Sequence, residues 1–282
     1  MVKSSTRAGN GAPVDPLQNS ALADGAHGDP FSYLGPHRLP EGSWVLRVFR
    51  PAVETVEVLP DGGNGAPLAL NPAGPEGVFA VLLSDDPGAY RLRMRKGTSE
   101  WEEHDPYRFG PVIGEIDEHL IGEGSHLGLW RVLGAHPMTH EGVAGVHFAV
   151  WAPAAQRVSV VGDFNHWDGL RHPMRSRGAT GVWEIFLPEV TEGARYKYEI
   201  RGADGSIMPQ KADPVGFGAE HPPATASVVR NLGGHDWRDA DWMARRSETS
   251  RRDRPISIYE VHLASWQRAE NGARPLSYHE LA

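Results

Sequence analysis

The stretch Tyr90-Arg91-Leu92-Arg93-Met94-Arg95 alternates strictly between apolar and basic side chains. Alternation with a period of two places the apolar residues on one face of a β-strand and the charged residues on the other. A related stretch, Tyr196-Lys197-Tyr198-Glu199, occurs roughly 100 residues later. The fold therefore contains half-buried strands, and the recurrence indicates that the unit containing them is present twice.

Four further pairs of segments recur in the same order around these strands. They are Leu34-Gly35-Pro36-His37 with Leu133-Gly134-Ala135-His136, Phe49-Arg50-Pro51-Ala52 with Trp151-Ala152-Pro153-Ala154, Gly77-Val78-Phe79 with Gly181-Val182-Trp183, and Asp105-Pro106-Tyr107-Arg108-Phe109-Gly110 with Asp213-Pro214-Val215-Gly216-Phe217-Gly218. Short strands separated by turns are typical of β-sandwiches. We therefore predict a mainly β chain with two tandem, duplicated β-sandwiches, over residues 28–112 and 133–232.

Three segments lie outside the two copies. Residues 1–27 contain several Gly and Pro residues and show no apolar periodicity, so we predict a flexible tail. Residues 113–132 have partly helical apolar spacing interrupted by glycines, which predicts a broken helical linker. Within residues 233–282, a short connecting helix is predicted, followed by one more strand over residues 255–263 that is unrelated to the repeat.

Composition narrows the classes of function. The 28 basic and 36 acidic residues give a net charge of −8, which disfavours nucleic acid and anionic membranes as partners. The absence of cysteine excludes disulfides, thiolate zinc sites and cysteine nucleophiles. No apolar run approaches the roughly 18 residues of a membrane span, and the first residues lack the apolar stretch of a signal peptide. We therefore expect a cytoplasmic protein.

Residues 158–169 are the most informative segment for function, because a strand leads there into a polar turn that carries Trp167. An exposed indole can stack on the apolar C–H face of a pyranose ring, and covering it would stabilise binding by roughly 1–3 kcal/mol. Asn165 and Lys197 are candidates for hydrogen bonds to the hydroxyl rim of the sugar. The alternative interpretation is that Trp167 packs into the sandwich as a structural residue.

No other group of residues predicts a catalytic or metal centre. The carboxylates at 115–118 and 239–241 are neighbours in sequence, whereas a glycosidase pair must flank the scissile bond across a pocket. His136 and His140 are four residues apart, but Pro137 interrupts the helix that would align them, and no carboxylate completes a known metal-site spacing. We find no nucleophile elbow and no phosphate loop. The sequence therefore predicts no catalytic residue, no cofactor and no metal.

A set of segments in a fixed order extends over about residues 29–282. They are Asp105-Pro106-Tyr107-Arg108-Phe109, Leu133-Gly134-Ala135-His136, residues 146–154 and 162–169, Arg171-His172-Pro173-Met174-Arg175, Tyr196-Lys197-Tyr198-Glu199, Pro223-Ala224-Thr225-Ala226-Ser227, and Ile258-Tyr259-Glu260-Val261-His262-Leu263-Ala264-Ser265-Trp266. Together they resemble the N-terminal portion of bacterial 1,4-α-glucan (glycogen) branching enzymes. The resemblance implies two immunoglobulin-like sandwiches, the second a glycogen-binding module, followed by the truncated start of an α-amylase-type (β/α)8 barrel.

The resemblance also implies a ligand and a partner. The ligand would be α-1,4-glucan, as glycogen or maltooligosaccharide, and Trp167 and Lys197 match the stacking tryptophan and hydrogen-bonding lysine of such modules. The turn at residues 202–207 lacks the second aromatic that these modules often carry. Branching enzymes transfer α-1,4-glucan chains to 6-hydroxyls, using carboxylates on later barrel strands that have no counterpart here. We therefore expect the 282-residue chain to be inactive by itself, and the missing barrel to be its partner.

Alternative functions remain open on the sequence. The chain could be a standalone, non-catalytic glucan-binding module, or the N-terminal part of a related debranching enzyme or maltooligosyltrehalose trehalohydrolase. Ser265-Trp266 favours a branching enzyme, because the related debranching enzymes and trehalohydrolases usually lack that pair. A third alternative is a structural interaction domain in which Trp167 is buried and no sugar binds.

Overall fold

The computed structural model describes residues 6–7, 11–61, 66–74 and 76–282, and it divides into two compact units, Met1–Gly233 and Gly234–Ala282. Both sandwiches lie in the first unit. Its strands pair in antiparallel sheets, which confirms the prediction of a mainly β chain. The first two strands, β1 (Thr6–Arg7) and β2 (Pro13–Val14), pair with each other.

The first sandwich is built from one sheet that folds over on itself. Its strand order is β3-β4-β7-β6-β5-β8-β9, and β6 pairs with strands of both layers. Apolar side chains from the alternating strands fill the space between the layers, as expected for half-buried strands. The strands are β3 (Gly35–Arg38), β4 (Trp44–Phe49), β5 (Thr55–Pro60), β6 (Leu68–Pro72), β7 (Val78–Leu83), β8 (Tyr90–Lys96) and β9 (Ser99–His104).

The second sandwich has two separate sheets. One has the order β10-β11-β14-β13 and the other has the order β12-β15-β16. Their facing side chains form a core that contains Phe148, Tyr196 and Tyr198. The strands are β10 (Gly134–His140), β11 (Val143–Trp151), β12 (Arg157–Gly162), β13 (Arg175–Ser176), β14 (Val182–Pro188), β15 (Arg195–Arg201) and β16 (Ser227–Val228).

The prediction of a flexible tail is wrong for residues 11–27. Helix α1 (Pro16–Ala23) begins after Asp15, whose carboxylate accepts the N–H of Leu17 at 2.9 Å. Leu22 is 3% exposed and packs, with apolar residues before the helix, on the outer face of β4 and β7. Burial of these scattered apolar residues orders the segment, although their spacing in the sequence does not follow a helical period. Residues 1–5 and 8–10 lie outside the described residues.

Helix α2 (Glu115–Glu123) covers the corresponding outer face of the second copy. The helices begin at residues 16 and 115, the 3-10 turns that follow begin at 30 and 129, and the first strands begin at 35 and 134. Each pair is separated by the same 99 residues. His27 and His126 make the same bond, in which Nδ1 accepts the N–H two residues further on at 3.2 Å. The predicted tail and linker are therefore one element of the repeat, and the duplication includes a helix before each sandwich.

Buried charged side chains anchor the chain just before each helix. In the first copy, the guanidinium of Arg47 donates to the carbonyl of Pro13 at 2.9 and 3.0 Å. In the second copy, the carboxylate of Glu184 accepts the N–H groups of Val112 and Ile113 at 3.1 and 3.0 Å. Burial opposes ionisation of Glu184, but the hydrogen bonds that it accepts lower its pKa below the ordinary value. The chain before the helix is thus anchored by a cation in the first copy and by an anion in the second copy.

The two copies contact each other through aromatic residues of the first copy. Phe31 packs against the cores of both copies, and Phe49 lies in one cluster with Leu170 of the second copy. The positions that correspond to these residues in the second copy are Trp130 and Trp151, which are 51% and 59% exposed. Within the described residues of the first unit, the contact between the copies is therefore not repeated at these two positions.

The second unit contains short elements only, and the strand predicted over residues 255–263 is wrong. Residues 255–262 form neither helix nor strand, and Ile256 and Ile258 are more than 80% exposed. A strand is held by hydrogen bonds to a neighbour, and no neighbouring strand pairs with this segment among the described residues. The elements are α3 (Ala240–Thr249), α4 (Leu263–Trp266), β17 (Arg268–Ala269), β18 (Arg274–Pro275) and α5 (Tyr278–Leu281).

Candidate functional site

The turn that follows β12 is fixed from within by Asn165. Its Oδ1 accepts the N–H of Gly162 at 2.9 Å, and its Nδ2 donates to the carbonyl of Val160 and to Nδ1 of His172, each at 2.9 Å. Burial lowers the pKa of His172 to about 3, so its ring is neutral and Nδ1 is free to accept. Asn165 is fully buried, so the prediction that its amide bonds the hydroxyl rim of a sugar is wrong. It is a positioning residue for the turn.

Trp167 lies at the outer end of this turn and is half-buried. Its backbone is in the left-handed region, with φ 61°, which a tryptophan adopts only when surrounding bonds hold it there. The indole lies near the carboxylate of Asp163 and contributes to lowering the pKa of that group. The turn therefore fixes the backbone of Trp167, while the half-buried ring keeps part of its surface accessible.

Asp163 connects the turn of Trp167 to the neighbouring strand. Its two oxygens accept from Nε and Nη2 of Arg195 at 2.8 and 3.0 Å, a bidentate arrangement. Hydrogen bonding to Arg195 lowers the pKa of Asp163, which favours the ionised carboxylate. Arg195 also contacts Glu220 at 3.3 Å. A chain of polar contacts thus runs from Asp163 across β15.

Lys197 lies on the same face of β15 as Arg195, because side chains two residues apart share a face. Its register partner on β12 is Val161. The ammonium Nζ donates to the hydroxyl of Thr225 at 2.7 Å. Trp167, Lys197 and Thr225 therefore flank one end of the outer face of this sheet, whereas Asn165 is directed into the protein.

The other end of the same face is covered by the N-terminal segment. Arg201 donates to the carbonyl oxygens of Asp24 and Gly25 at 3.1 and 3.3 Å. A Cβ on Gly25 would lie 2.9 Å from the side chain of Leu170, so the backbone approaches this surface very closely. The segment predicted as a tail therefore restricts the accessible part of the face to the end that carries Lys197.

Sequence reasoning missed three polar contributors to this face. Arg195 could have been found, because the alternation that places Lys197 outward also places Arg195 outward. Asp163 stands in the quoted turn, but its ion pair crosses to another strand. Thr225 comes from a loop before β16, and nothing in the sequence pairs that loop with Lys197.

An exposed apolar groove of about 600 Å³ lies elsewhere on the second copy. It runs beside Trp151, Ile200 and Met208 and includes the turn at residues 202–206. The indole N–H of Trp151 donates to the carbonyl of Thr180 at 3.1 Å, which fixes its orientation. The turn that lacks a second aromatic of its own therefore has an exposed tryptophan beside it.

Comparisons with known proteins match both copies. Residues 15–107 match the family described as "alpha-1,4-glucan branching enzyme GlgB, N-terminal domain", and residues 132–216 match "Carbohydrate-binding module 48 (Isoamylase N-terminal domain)". The 1,4-alpha-glucan branching enzyme GlgB of Roseobacter denitrificans is 61% identical over 264 residues, which are 93% of this chain and 36% of that protein. The chain matches the N-terminal portion of the branching-enzyme family.

A second branching enzyme agrees with this assignment. The 1,4-alpha-glucan branching enzyme GlgB of Paramagnetospirillum magneticum is 55% identical over 266 residues, which are 93% of this chain and 35% of that protein. The chain thus spans about a third of the length of the curated branching enzymes that it matches. Its first copy falls in the part described as the GlgB N-terminal domain, and its second copy falls in the part described as a carbohydrate-binding module.

Solved structures give a more distant comparison. A pullulanase from Anoxybacillus sp. LM18-11, complexed with maltotetraose, is 16% identical, covers 69% of this chain and 26% of its own, and has a TM-score of 0.32. That score is too low to support an inference. Within the described parts of the chain, no helix is both long and apolar enough to cross a bilayer, and no three His, Cys, Asp or Glu side chains are grouped to hold a metal ion.

Proposed function

We propose that the second copy binds α-1,4-glucan on the face that carries Trp167, Lys197 and Thr225. The observation that carries the proposal is the half-buried indole of Trp167, which the turn after β12 places at the edge of that face. The accessible part of the ring is suited to stacking on the C–H face of a sugar. Lys197 and Thr225 supply an ammonium and a hydroxyl for the hydroxyl rim.

The proposed role of the whole region follows from its relatives, which are named 1,4-alpha-glucan branching enzymes. We propose that this region holds α-1,4-glucan while a chain of it is transferred to a 6-hydroxyl during glycogen synthesis in the cytoplasm. Because the chain spans only about a third of the length of these enzymes, we expect no branching activity from it alone.

The exposed apolar residues of the second unit favour a region that packs against the rest of a longer enzyme over a standalone module. Apolar side chains at Ile256, Ile258 and Tyr259 are largely exposed, and a surface of that kind is normally covered by further polypeptide. We propose the additional polypeptide of the branching enzymes, including its barrel, as the partner that covers this segment.

Affinity electrophoresis tests glucan binding directly. The purified 282-residue chain is run in native gels with and without glycogen, beside Trp167→Ala and a matched control, Trp237→Ala, which removes an exposed indole of the second unit. We expect glycogen to retard the chain and the control variant, and to leave Trp167→Ala unretarded. Retardation of all three proteins, or of none when circular dichroism shows them folded, would overturn the proposal.

A further inference from the structure

A cavity of about 260 Å³ lies between the two copies, apart from the face of Trp167. The first copy contributes Glu103 and His104, and the second contributes Phe164, His172 and Glu189, together with apolar residues beside them. A smaller extension runs along Phe164 and His172 towards Arg50. The volume is just below the roughly 300–1,000 Å³ of sites for drug-sized ligands, and it suits a single sugar ring.

The polar groups that line this cavity are held by ion pairs but keep unused hydrogen-bonding capacity. Arg50 donates to Glu103 at 2.8 Å, and Arg91 contacts Glu189 at 3.4 Å. Nε2 of His104 lies 3.9 Å from Glu189, which is too long for a direct hydrogen bond and short enough for one hydroxyl to bond both groups. Nδ1 of His104 is buried without a hydrogen-bond partner among the described residues.

Charge restricts the ligand to a neutral molecule. Burial lowers the pKa of both His104 and His172, so both rings are neutral near pH 7. The carboxylates of Glu103 and Glu189 are paired with Arg50 and Arg91, so the formal charges around the cavity largely cancel and favour neither an anion nor a cation. The described residues contain no group arranged for a metal ion.

The remaining surface is apolar and complements a ring. Phe164 presents an aromatic side chain, and Pro106 and Pro188 line the same space. Glu189, next to Pro188, has a left-handed backbone with φ 63°, a conformation that costs a non-glycine residue free energy and that commonly marks functional positions. An apolar wall with a few placed polar groups is the general character of small-molecule sites, and a pyranose matches it with an apolar C–H face and a rim of hydroxyls.

We propose that this cavity between the copies binds one neutral sugar ring, such as a glucose unit of a short α-glucan. The site is distinct from the face of Trp167 and does not depend on glucan binding there. It joins the two copies, because His104 belongs to the first and Phe164 and Glu189 belong to the second.

Titration with glucose and with maltose, followed by NMR of the assigned imidazole signals of His104 and His172, tests the proposal. We expect both signals to shift with either sugar in the unmodified chain. Glu189→Ala should weaken the affinity by about tenfold, because it removes a charged hydrogen-bond acceptor from the cavity. Glu192→Gln, a carboxylate on the same connection but outside the cavity, should leave the affinity unchanged. Glu189 is partly exposed, so its variant is expected to fold.

Trp167→Ala separates this site from the glucan-binding face. It should leave the sugar-dependent shifts of His104 intact even though it abolishes retardation by glycogen. Three outcomes would overturn the proposal: no shift of either imidazole at tens of millimolar sugar, shifts that Glu189→Ala does not weaken, or shifts that disappear in Trp167→Ala.

Discussion

The phenol of Tyr196 donates a hydrogen bond of 2.7 Å to the buried carboxylate of Asp213. The first copy repeats this bond between Tyr90 and Asp105, also at 2.7 Å. In both copies the other carboxylate oxygen accepts the N–H two residues further on, which fixes the turn beyond the strands. The repeat seen in the sequence is therefore also a repeat of one buried polar interaction.

We expect Tyr90→Phe to destabilise the protein more than Tyr196→Phe. Among the described residues, Asp105 accepts from one phenol, that of Tyr90, whereas Asp213 accepts from two, those of Tyr196 and of Tyr198 at 3.1 Å. Loss of a hydrogen bond to a charged group should lower the free energy of unfolding by about 2 kcal/mol at Asp105, and by about 1 kcal/mol where a second phenol remains. Urea unfolding followed by circular dichroism measures both values. Equal losses would contradict this account.

The stability contributed by Asp213 should depend on pH. Burial raises its pKa in the folded protein, so the folded state binds a proton at this carboxyl more readily than the unfolded state does. This contribution is fully present below the unfolded pKa of about 3.9, and it is lost as the pH rises through the folded pKa. The unfolding free energy of the unmodified chain should therefore fall relative to that of Asp213→Asn as the pH rises. Urea titrations at several pH values measure it, and a difference independent of pH would show that the carboxyl is not perturbed.

Helix α1 should contribute to the stability of the first copy. Leu22→Ala removes a side chain buried against β4 and β7 and should lower the free energy of unfolding by about 2–4 kcal/mol. Leu17→Ala, on the same helix but 80% exposed, should change it by less than about 0.5 kcal/mol. Thermal and urea unfolding of the two variants provide the comparison. If both variants match the unmodified chain, the helix is not packed in solution.

Asn165 and Lys197 should separate stability from glucan affinity. Asn165→Ala leaves buried groups of the turn without partners and should cost about 2–3 kcal/mol of unfolding free energy. Lys197→Met keeps the aliphatic stem and should leave stability nearly unchanged, while glycogen affinity falls by about fivefold. Unfolding curves and affinity electrophoresis on the same samples distinguish the two effects. A Lys197→Met variant with full affinity would remove Lys197 from the proposed site.

The sandwiches could be predicted because alternation is a local property of a strand. The apolar positions of 90–95 in the sequence are the buried positions of β8 in the structure. The helix before the first copy could not be found in the same way, because Ala12, Val14 and Leu22 have no helical period. The signals that were present are short: Asp15 followed by Pro16 is a helix start, and His27 stands 99 residues before His126.

The failures at residues 255–263 and at Asn165 have different physical causes. A strand depends on a partner strand elsewhere in the sequence, whereas Asn165 bonds residues three to seven positions away that fold the turn around it. An apolar run predicts a strand only if a neighbouring strand completes its hydrogen bonds, and no strand pairs with 255–262 among the described residues. A polar residue in a turn is usually solvated, but Asn165 is buried because it bonds Val160 and His172. Composition and spacing do not reveal either circumstance.

The exposure of Trp130 and Trp151 has a consequence for how this fold ends. In the first copy the equivalent residues, Phe31 and Phe49, are used to join the second copy. The contact is heterologous, since one face of the first copy meets a different face of the second. Within the first unit, the second copy thus carries larger aromatic side chains at the joining positions and meets no third copy there. In a repeat array, a surface of this kind is the one on which a further repeat or a polar capping unit would pack.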